Sequence, residues 1–235
     1  MSQYDLNNYI QNWSGNYETQ FQALGIFNFQ IINNWDKIQI ETFILQFYHV
    51  RGHFYKMLWF LGSTAPNLEY KKIILENIEE EFGGKSVSHE QLYFKFAKEF
   101  EVNIIEEILN PKFNVRFIQD FNQNHLKFVL KQPWPAVWSA VCAYEALDNI
   151  DYKNLYTLAQ TIGTSKSGLG FFRIHMVAQH FEHASILLQE IWDKDQNAVK
   201  VAFEFIAENQ LEMFVELDRQ VNSLRSSISQ ESNIN

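Results

Sequence analysis

The feature that most constrains this chain is a spacing of apolar residues by three and four positions, which continues through almost all of its 235 residues. That spacing places apolar side chains along one face of an α-helix. Only 9 glycines and 4 prolines interrupt it, whereas β-rich folds use these residues freely in their turns. The sequence therefore predicts a single all-α domain of about seven to nine helices over residues 1–225, followed by a disordered tail at residues 226–235.

Breaks in the apolar pattern locate the ends of the predicted helices. Gly83 and Gly84 are suited to end one helix, and either Ser86 or Ser88 can cap the next one, which carries His89. The other boundaries follow from prolines and from loss of the apolar stripe. The predicted segments are Tyr17–Asn33, Glu41–Leu61, Leu68–Phe82, His89–Phe100, Val115–Leu130, Ala136–Leu147, Tyr152–Ile162, Phe171–Trp192 and Gln196–Leu224.

The charge balance and the lengths of the apolar runs exclude several classes of partner. Lys and Arg total 19 while Asp and Glu total 28, which gives a net charge of −9. Nucleic-acid binding needs clustered Lys and Arg, and no apolar run approaches the ~20 residues that cross a bilayer. The N-terminal residues lack a secretory signal. We therefore expect a soluble cytoplasmic protein that binds neither nucleic acid nor membrane, with its single cysteine, Cys142, in the core.

Three of the seven histidines fall within nine residues on one predicted helix, at positions 175, 180 and 183. Neutral imidazole is a common metal ligand. On a regular helix His175, Gln179 and His183 share one side, and His180 joins them only if the helix is locally distorted. With Glu182 nearby, the cluster fits a metal site, and it also fits polar residues on an amphipathic helix.

Two groups of carboxylates could complete such a site. The run from Glu79 to Glu81 ends a predicted helix, where acidic residues oppose the helix dipole. A local conflict of this kind is expected at functional sites, although a solvated turn has the same sequence. Glu145 lies in a helix so apolar that its charge needs a metal, or else a Lys or Arg partner. No Glu-x-x-His, His-Glu-x-x-His or glycine-rich phosphate-binding motif is present in the sequence.

Three ordered segments resemble those of the heme-oxygenase-like diiron oxidases and oxygenases. The segment 77–84 with His89 is similar to their "Asn-Leu-x-Glu-Glu-x-Gly … His-x-x-Leu" motif. Ala143-Tyr144-Glu145 resembles their central-helix glutamate segment, and the segment 171–175 with His183 resembles their C-terminal histidine helix. Within that family the chain is most similar to small proteins grouped with the chlamydial protein associating with death domains, termed CADD-like.

The resemblance implies a homodimeric helical bundle in which two iron ions activate O2 to oxidise a small, partly apolar molecule. A centre with one ion, or with none, stays an alternative. Tyr144 and Glu145 are then the expected catalytic residues. The implied metal ligands are Glu81, His89, Glu145, His175, His180 and His183, with Glu80, Gln179 and Glu182 as alternatives.

The last motif departs from the family pattern. The family has His-x-x-x-Asp-x-x-His, whereas this chain has His-x-x-x-x-His-x-x-His, so an anionic ligand is missing. Two other functions therefore stay open. One is a metal-independent enzyme similar to thiaminase-II-like and pyrroloquinoline-quinone-synthase-like proteins, with Glu145 as acid or base. The other is a non-catalytic member that binds an apolar metabolite or a protein partner.

Overall fold

The computed structural model of the chain describes residues 5–52, 54–84, 87–177 and 180–231, without the side chains of residues 180, 183 and 225–231. These residues form helices and no β-strand, which confirms the predicted all-α class. A short 3-10 helix, Gly25–Phe27, accompanies the α-helices. The α-helices are α1 (Leu6–Gln22), α2 (Phe29–Ile32), α3 (Lys37–Arg51), α4 (Phe54–Thr64), α5 (Leu68–Phe82), α6 (His89–Glu99), α7 (Ile104–Leu109), α8 (Arg116–Lys131), α9 (Trp134–Thr161), α10 (Gly170–Val177), α11 (His180–Lys194) and α12 (Gln196–Glu231).

The turn between α5 and α6 confirms the predicted capping signals. Gly83 adopts a left-handed conformation with φ of 79°, which glycine reaches without steric penalty. The amide of Gly84 then donates to the carbonyl of Glu79 at 2.9 Å, as in the common glycine-terminated helix end. Ser88 caps α6 and forms a reciprocal pair of hydrogen bonds with Gln91.

Two predicted helices have other boundaries. The first was expected over Tyr17–Asn33, but α1 begins at Leu6 because Asp5 caps it, and it ends at Gln22 before the 3-10 turn. The segment Glu41–Leu61 is divided between α3 and α4, since α3 ends at Arg51 with Gly52 as its cap. These breaks give more helical segments than the pattern predicted.

The predicted break between the segments Ala136–Leu147 and Tyr152–Ile162 is wrong, because both segments belong to the continuous 28-residue helix α9. The two acids between them, Asp148 and Asp151, are buried. The hydroxyl of Tyr17 donates to Asp151 at 2.8 Å. A helix can continue through buried acids when partners on other helices satisfy them.

Helix α9 lies at the centre of the bundle, where it packs against α1, α10, α11 and α12. Cys142 on α9 is buried, as predicted. Rings of Phe21 and Phe27 contact each other and the ring of Phe214, at centroid distances of 4.4 to 5.6 Å. Among the described residues, no helix is both long and apolar enough to span a membrane. Helix α12 is described as far as Glu231, and the tail at 226–235 stays a prediction.

A buried histidine in α8 makes stability depend on pH. Burial lowers the pKa of His125 from 6.5 to about 4, so the unfolded chain takes up a proton as the pH falls through 6.5 while the native state does not. Stability is therefore lost as the pH falls from 6.5 towards 4. We expect His125→Leu to gain about 2 kcal/mol relative to the wild type between pH 7.5 and pH 5. Urea unfolding at both pH values measures this difference.

The matched control is Phe128→Leu in the same helix, which removes no titratable group. Its difference in stability from the wild type should be equal at the two pH values. A pH-independent difference for His125→Leu as well would show that His125 is not buried in its neutral form.

Candidate metal centre

Three helix ends bring together three of the residues singled out in the sequence. Glu81 lies in the last turn of α5, His89 is the first residue of α6, and His175 lies on α10. One ligand atom of each lies within 4.8 Å of the others. Glu81 and His89 are half-buried, and His175 is buried. We call these three residues the triad.

The contact between Glu81 and His89 suits two ligands of one ion. Nδ1 of His89 lies 3.1 Å from Oε1 of Glu81, yet it is buried without a properly aligned hydrogen bond among the described residues. Two ligands at right angles on metal bonds of about 2.1 Å lie about 3 Å apart. The separation and the lack of hydrogen-bond alignment therefore fit a metal-binding pair.

His175 is oriented by its own helix. Its Nδ1 lies 2.8 Å from the carbonyl oxygen of Phe171, which can only accept, so Nδ1 carries the proton and Nε2 is the ligand atom. Such backbone hydrogen bonds fix the tautomer of metal-binding histidines. The ring also stacks on Tyr152, with centroids 4.2 Å apart and planes inclined by 13°. Two imidazoles and one carboxylate suit Fe(II), so the donor set fits the iron that the sequence implies.

Glu145 lies on α9 and is not one of the three residues of the triad. It is buried, and its pKa is raised well above the usual value by burial and then by the charge of Asp148, while Arg51 lowers it. The negative charge of Glu81 also raises the pKa of Glu145. Burial raises the pKa of Asp148 to about 6, against the effect of Arg51. Helix α9 therefore carries the buried acids Glu145 and Asp148, which we call the acidic wall.

Arg51 faces this acidic wall, and sequence reasoning missed it. Its Nη1 donates to the hydroxyl of Tyr144 at 2.7 Å and lies 3.5 Å from Oδ1 of Asp148. The guanidinium is 5.2 to 5.4 Å from the centres of three rings, those of Phe54, Tyr144 and Tyr152. Arg51 is a charged residue in a segment rich in aromatic residues, and this is the sequence signal that could have identified it.

The other residues named from the sequence divide into two groups. Glu80 and Glu182 are exposed and do not join the triad. Tyr144 is buried, and its hydroxyl accepts a hydrogen bond from Arg51. Gln179 and the side chains of His180 and His183 lie outside the described part of the chain, so their predicted roles as ligands stay predictions.

The triad opens into a small cleft of about 50 Å³. Four aromatic side chains form much of its wall, and Tyr48 donates from its hydroxyl to Glu90 at 2.9 Å. An apolar lining with a few polar groups is typical of small-molecule sites, and the small volume suits a small ligand. The aromatic residues that line the cleft are Tyr48, Tyr55, Tyr93 and Phe171.

One protein family matches the chain by its sequence profile. The family is described as "Iron-containing redox enzyme", and the match covers residues 41–210. That range contains the triad, Arg51 and the whole of α9. No curated protein is detectably similar to the chain in sequence.

Two crystal structures of a CADD-like protein of unknown function from Nostoc punctiforme have a similar fold. One has a TM-score of 0.68 at 15% identity, covering 91% of this chain and 98% of that chain. The other has a TM-score of 0.67 at 15% identity, covering 92% and 96%. The likeness shows the fold and confirms the predicted CADD-like, heme-oxygenase-like bundle.

The triad predicts which of two adjacent glutamates binds metal. We expect Glu81→Gln to weaken binding of Co(II), used as a stand-in for Fe(II), by at least about 100-fold, because it removes the anionic ligand. Glu80→Gln is the matched control and should leave the affinity unchanged, since Glu80 is exposed outside the triad. Calorimetric titration measures both, and equal losses for the two variants would contradict this assignment.

Proposed function

We propose that this chain, which belongs to the family of iron-containing redox enzymes, is an O2-dependent non-heme iron oxidase or oxygenase. The observation that carries the proposal is the triad, whose two imidazoles and one carboxylate converge at the end of an aromatic cleft. A bound iron would supply the redox chemistry that activates O2. The substrate would be a small, partly apolar metabolite, in keeping with the aromatic lining of the cleft.

The protein's own groups would hold and shield the centre. Glu81 and His89 would bind from one turn, and His175 would bind from α10 with its proton kept on Nδ1 by Phe171. The ring of Tyr152 would limit rotation of the His175 ring. The aromatic wall would exclude bulk water from the reacting groups, which strengthens the electrostatic interactions inside the cleft.

A second iron, implied by the resemblance, would draw on Glu145 together with His180 and His183. Support for it in the described part of the chain is confined to Glu145, which is buried. Tyr144 would then act through its hydrogen bond with Arg51. The number of ions is therefore a separate question from the presence of an iron centre.

Iron oxidation tests the proposed function directly. The chain should be loaded anaerobically with Fe(II) and mixed with O2-saturated buffer in a stopped-flow spectrometer. We expect transient visible absorption and Fe(II) oxidation at least about tenfold faster than in His89→Ala, which lacks one ligand of the triad. The control Glu76→Gln, on the exposed surface of α5, should behave as the wild type does. Oxidation no faster than that of Fe(II) in buffer would refute the proposal.

One observation also favours the metal-independent alternative. Burial raises the pKa of Glu145 well above its usual value, so this carboxyl group could donate a proton to a bound heterocycle. Removal of metal by a chelator separates the two functions, because turnover of any substrate should be lost for an iron enzyme and kept for the alternative. The non-catalytic alternative is less favoured, because the ligand atoms of Glu81 and His175 lie within 4.8 Å of each other, close enough to hold one metal ion.

A further inference from the structure

Helix α5 exposes a row of large apolar side chains. Leu68, Leu75 and Phe82 lie seven residues apart, which is close to two turns of an α-helix, so the three side chains share one face. Each is more than half exposed, at 66%, 54% and 55% respectively. The face of α5 that packs within the chain is a different one, which includes the buried Ile74 and Ile78. We call the three exposed residues the α5 row.

One end of the α5 row adjoins the triad, since Phe82 follows Glu81 in the chain. The ring of Phe82 contacts the rings of Trp59 and Tyr55 on α4, with centroids 6.2 Å and 5.8 Å apart. Trp59 is also more than half exposed, and Tyr55 lines the cleft. Single exposed apolar residues are ordinary on protein surfaces, whereas a patch of several large ones marks an interaction surface.

The charges beside the α5 row fit a second copy of the same helix that runs in the opposite direction. Lys72 precedes Leu75 by three residues, Glu79 follows it by four, and both are exposed. At about 100° per residue, both lie on the same flank of the row. Along the helix axis they lie about 4.5 Å and about 6 Å from Leu75, in opposite directions. Two antiparallel copies that meet at Leu75 therefore bring Lys72 of each copy to the level of Glu79 of the other.

The same arrangement matches the apolar side chains. Leu75 meets Leu75 of the second copy at the twofold axis, and Leu68 lies at the level of Phe82 because both are seven residues from Leu75. Such self-complementarity is what an isologous twofold dimer requires. Burial of the α5 row supplies affinity, and the pairs of Lys72 with Glu79 set the direction of pairing. A parallel pair would instead place each Lys72 at the level of the other Lys72.

We infer that α5 forms a dimer interface, in which a second copy of this chain covers the α5 row in antiparallel orientation about Leu75. The homodimer implied by the family resemblance specifies no surface, and this inference assigns one. All three residues of the triad come from one chain, so the interface adjoins the metal centre without contributing a ligand. The inference does not depend on the proposed function, because no metal or substrate enters it.

Cysteine cross-linking tests the position and the direction of the interface. We expect Leu75→Cys to form a disulfide-linked dimer when diamide is added as oxidant, because facing Cα atoms of helices packed about 8–10 Å apart lie within disulfide range. Leu68→Cys is the matched control and should stay unlinked, since the two copies of residue 68 lie about 21 Å apart along the helix axis. The wild type should stay unlinked as well, because its one cysteine, Cys142, is buried.

Non-reducing gel electrophoresis measures the linked fraction. Equal linking of Leu75→Cys and Leu68→Cys would overturn the inference, since it would indicate a parallel pair or random collision. An unlinked Leu75→Cys would also overturn it, because residue 75 would then not lie at the twofold axis.

Charge reversal tests the pairing independently. We expect Lys72→Glu to raise the dimer dissociation constant at least about tenfold, because it brings two acids to the same level. Addition of Glu79→Lys to this variant should restore most of the affinity, since both charges are then exchanged. The control Lys127→Glu, on the exposed surface of α8, changes the net charge equally and should leave the dissociation constant unchanged.

Sedimentation equilibrium measures the dissociation constants, and circular dichroism checks that each variant is folded. A wild type that stays monomeric would overturn the inference and leave the α5 row to a partner of another sequence. Equal dissociation constants for Lys72→Glu and Lys127→Glu would overturn it too. So would a folded double variant that dimerises no better than Lys72→Glu alone.

Discussion

The structure of the centre depends on the placement of a guanidinium, that of Arg51, against the acids of α9. Buried carboxylates are tolerated only when cations or hydrogen-bond donors compensate them. Nη1 of Arg51 reaches Tyr144 at 2.7 Å and Asp148 at 3.5 Å. Because this compensation exists, α9 can continue without a break through the buried acid Asp148.

The triad itself follows from helix ends. Gly83 in its left-handed conformation ends α5, and Ser88 starts α6, so Glu81 and His89 face each other across a short turn. His175 lies on α10, a helix that packs against both α6 and α9. Three rigid elements therefore fix the positions of three ligands, and this rigidity is what a metal centre requires.

Part of this arrangement was predictable. The period of the apolar residues identified the helices, and the turn glycines identified the end of α5, because both are local properties. The family resemblance named Glu81 and His89 as candidate ligands, and the structure brings them together with His175. The breaks at Gly52 and after Gln22 were not predictable, and neither was the continuity of α9. That continuity depends on the hydrogen bond from Tyr17 to Asp151, which allows a buried acid to remain within a helix.

The sequence by itself determined the helical class, the buried faces and the residue types available for metal binding, since each depends on neighbours a few positions apart. Only the tertiary structure decided which of those residues meet. Arg51 and Asp148 are 97 positions apart, and no spacing along the chain encodes their contact. The pairing of a cation on α3 with an acid on α9 is therefore a property of the packed helices.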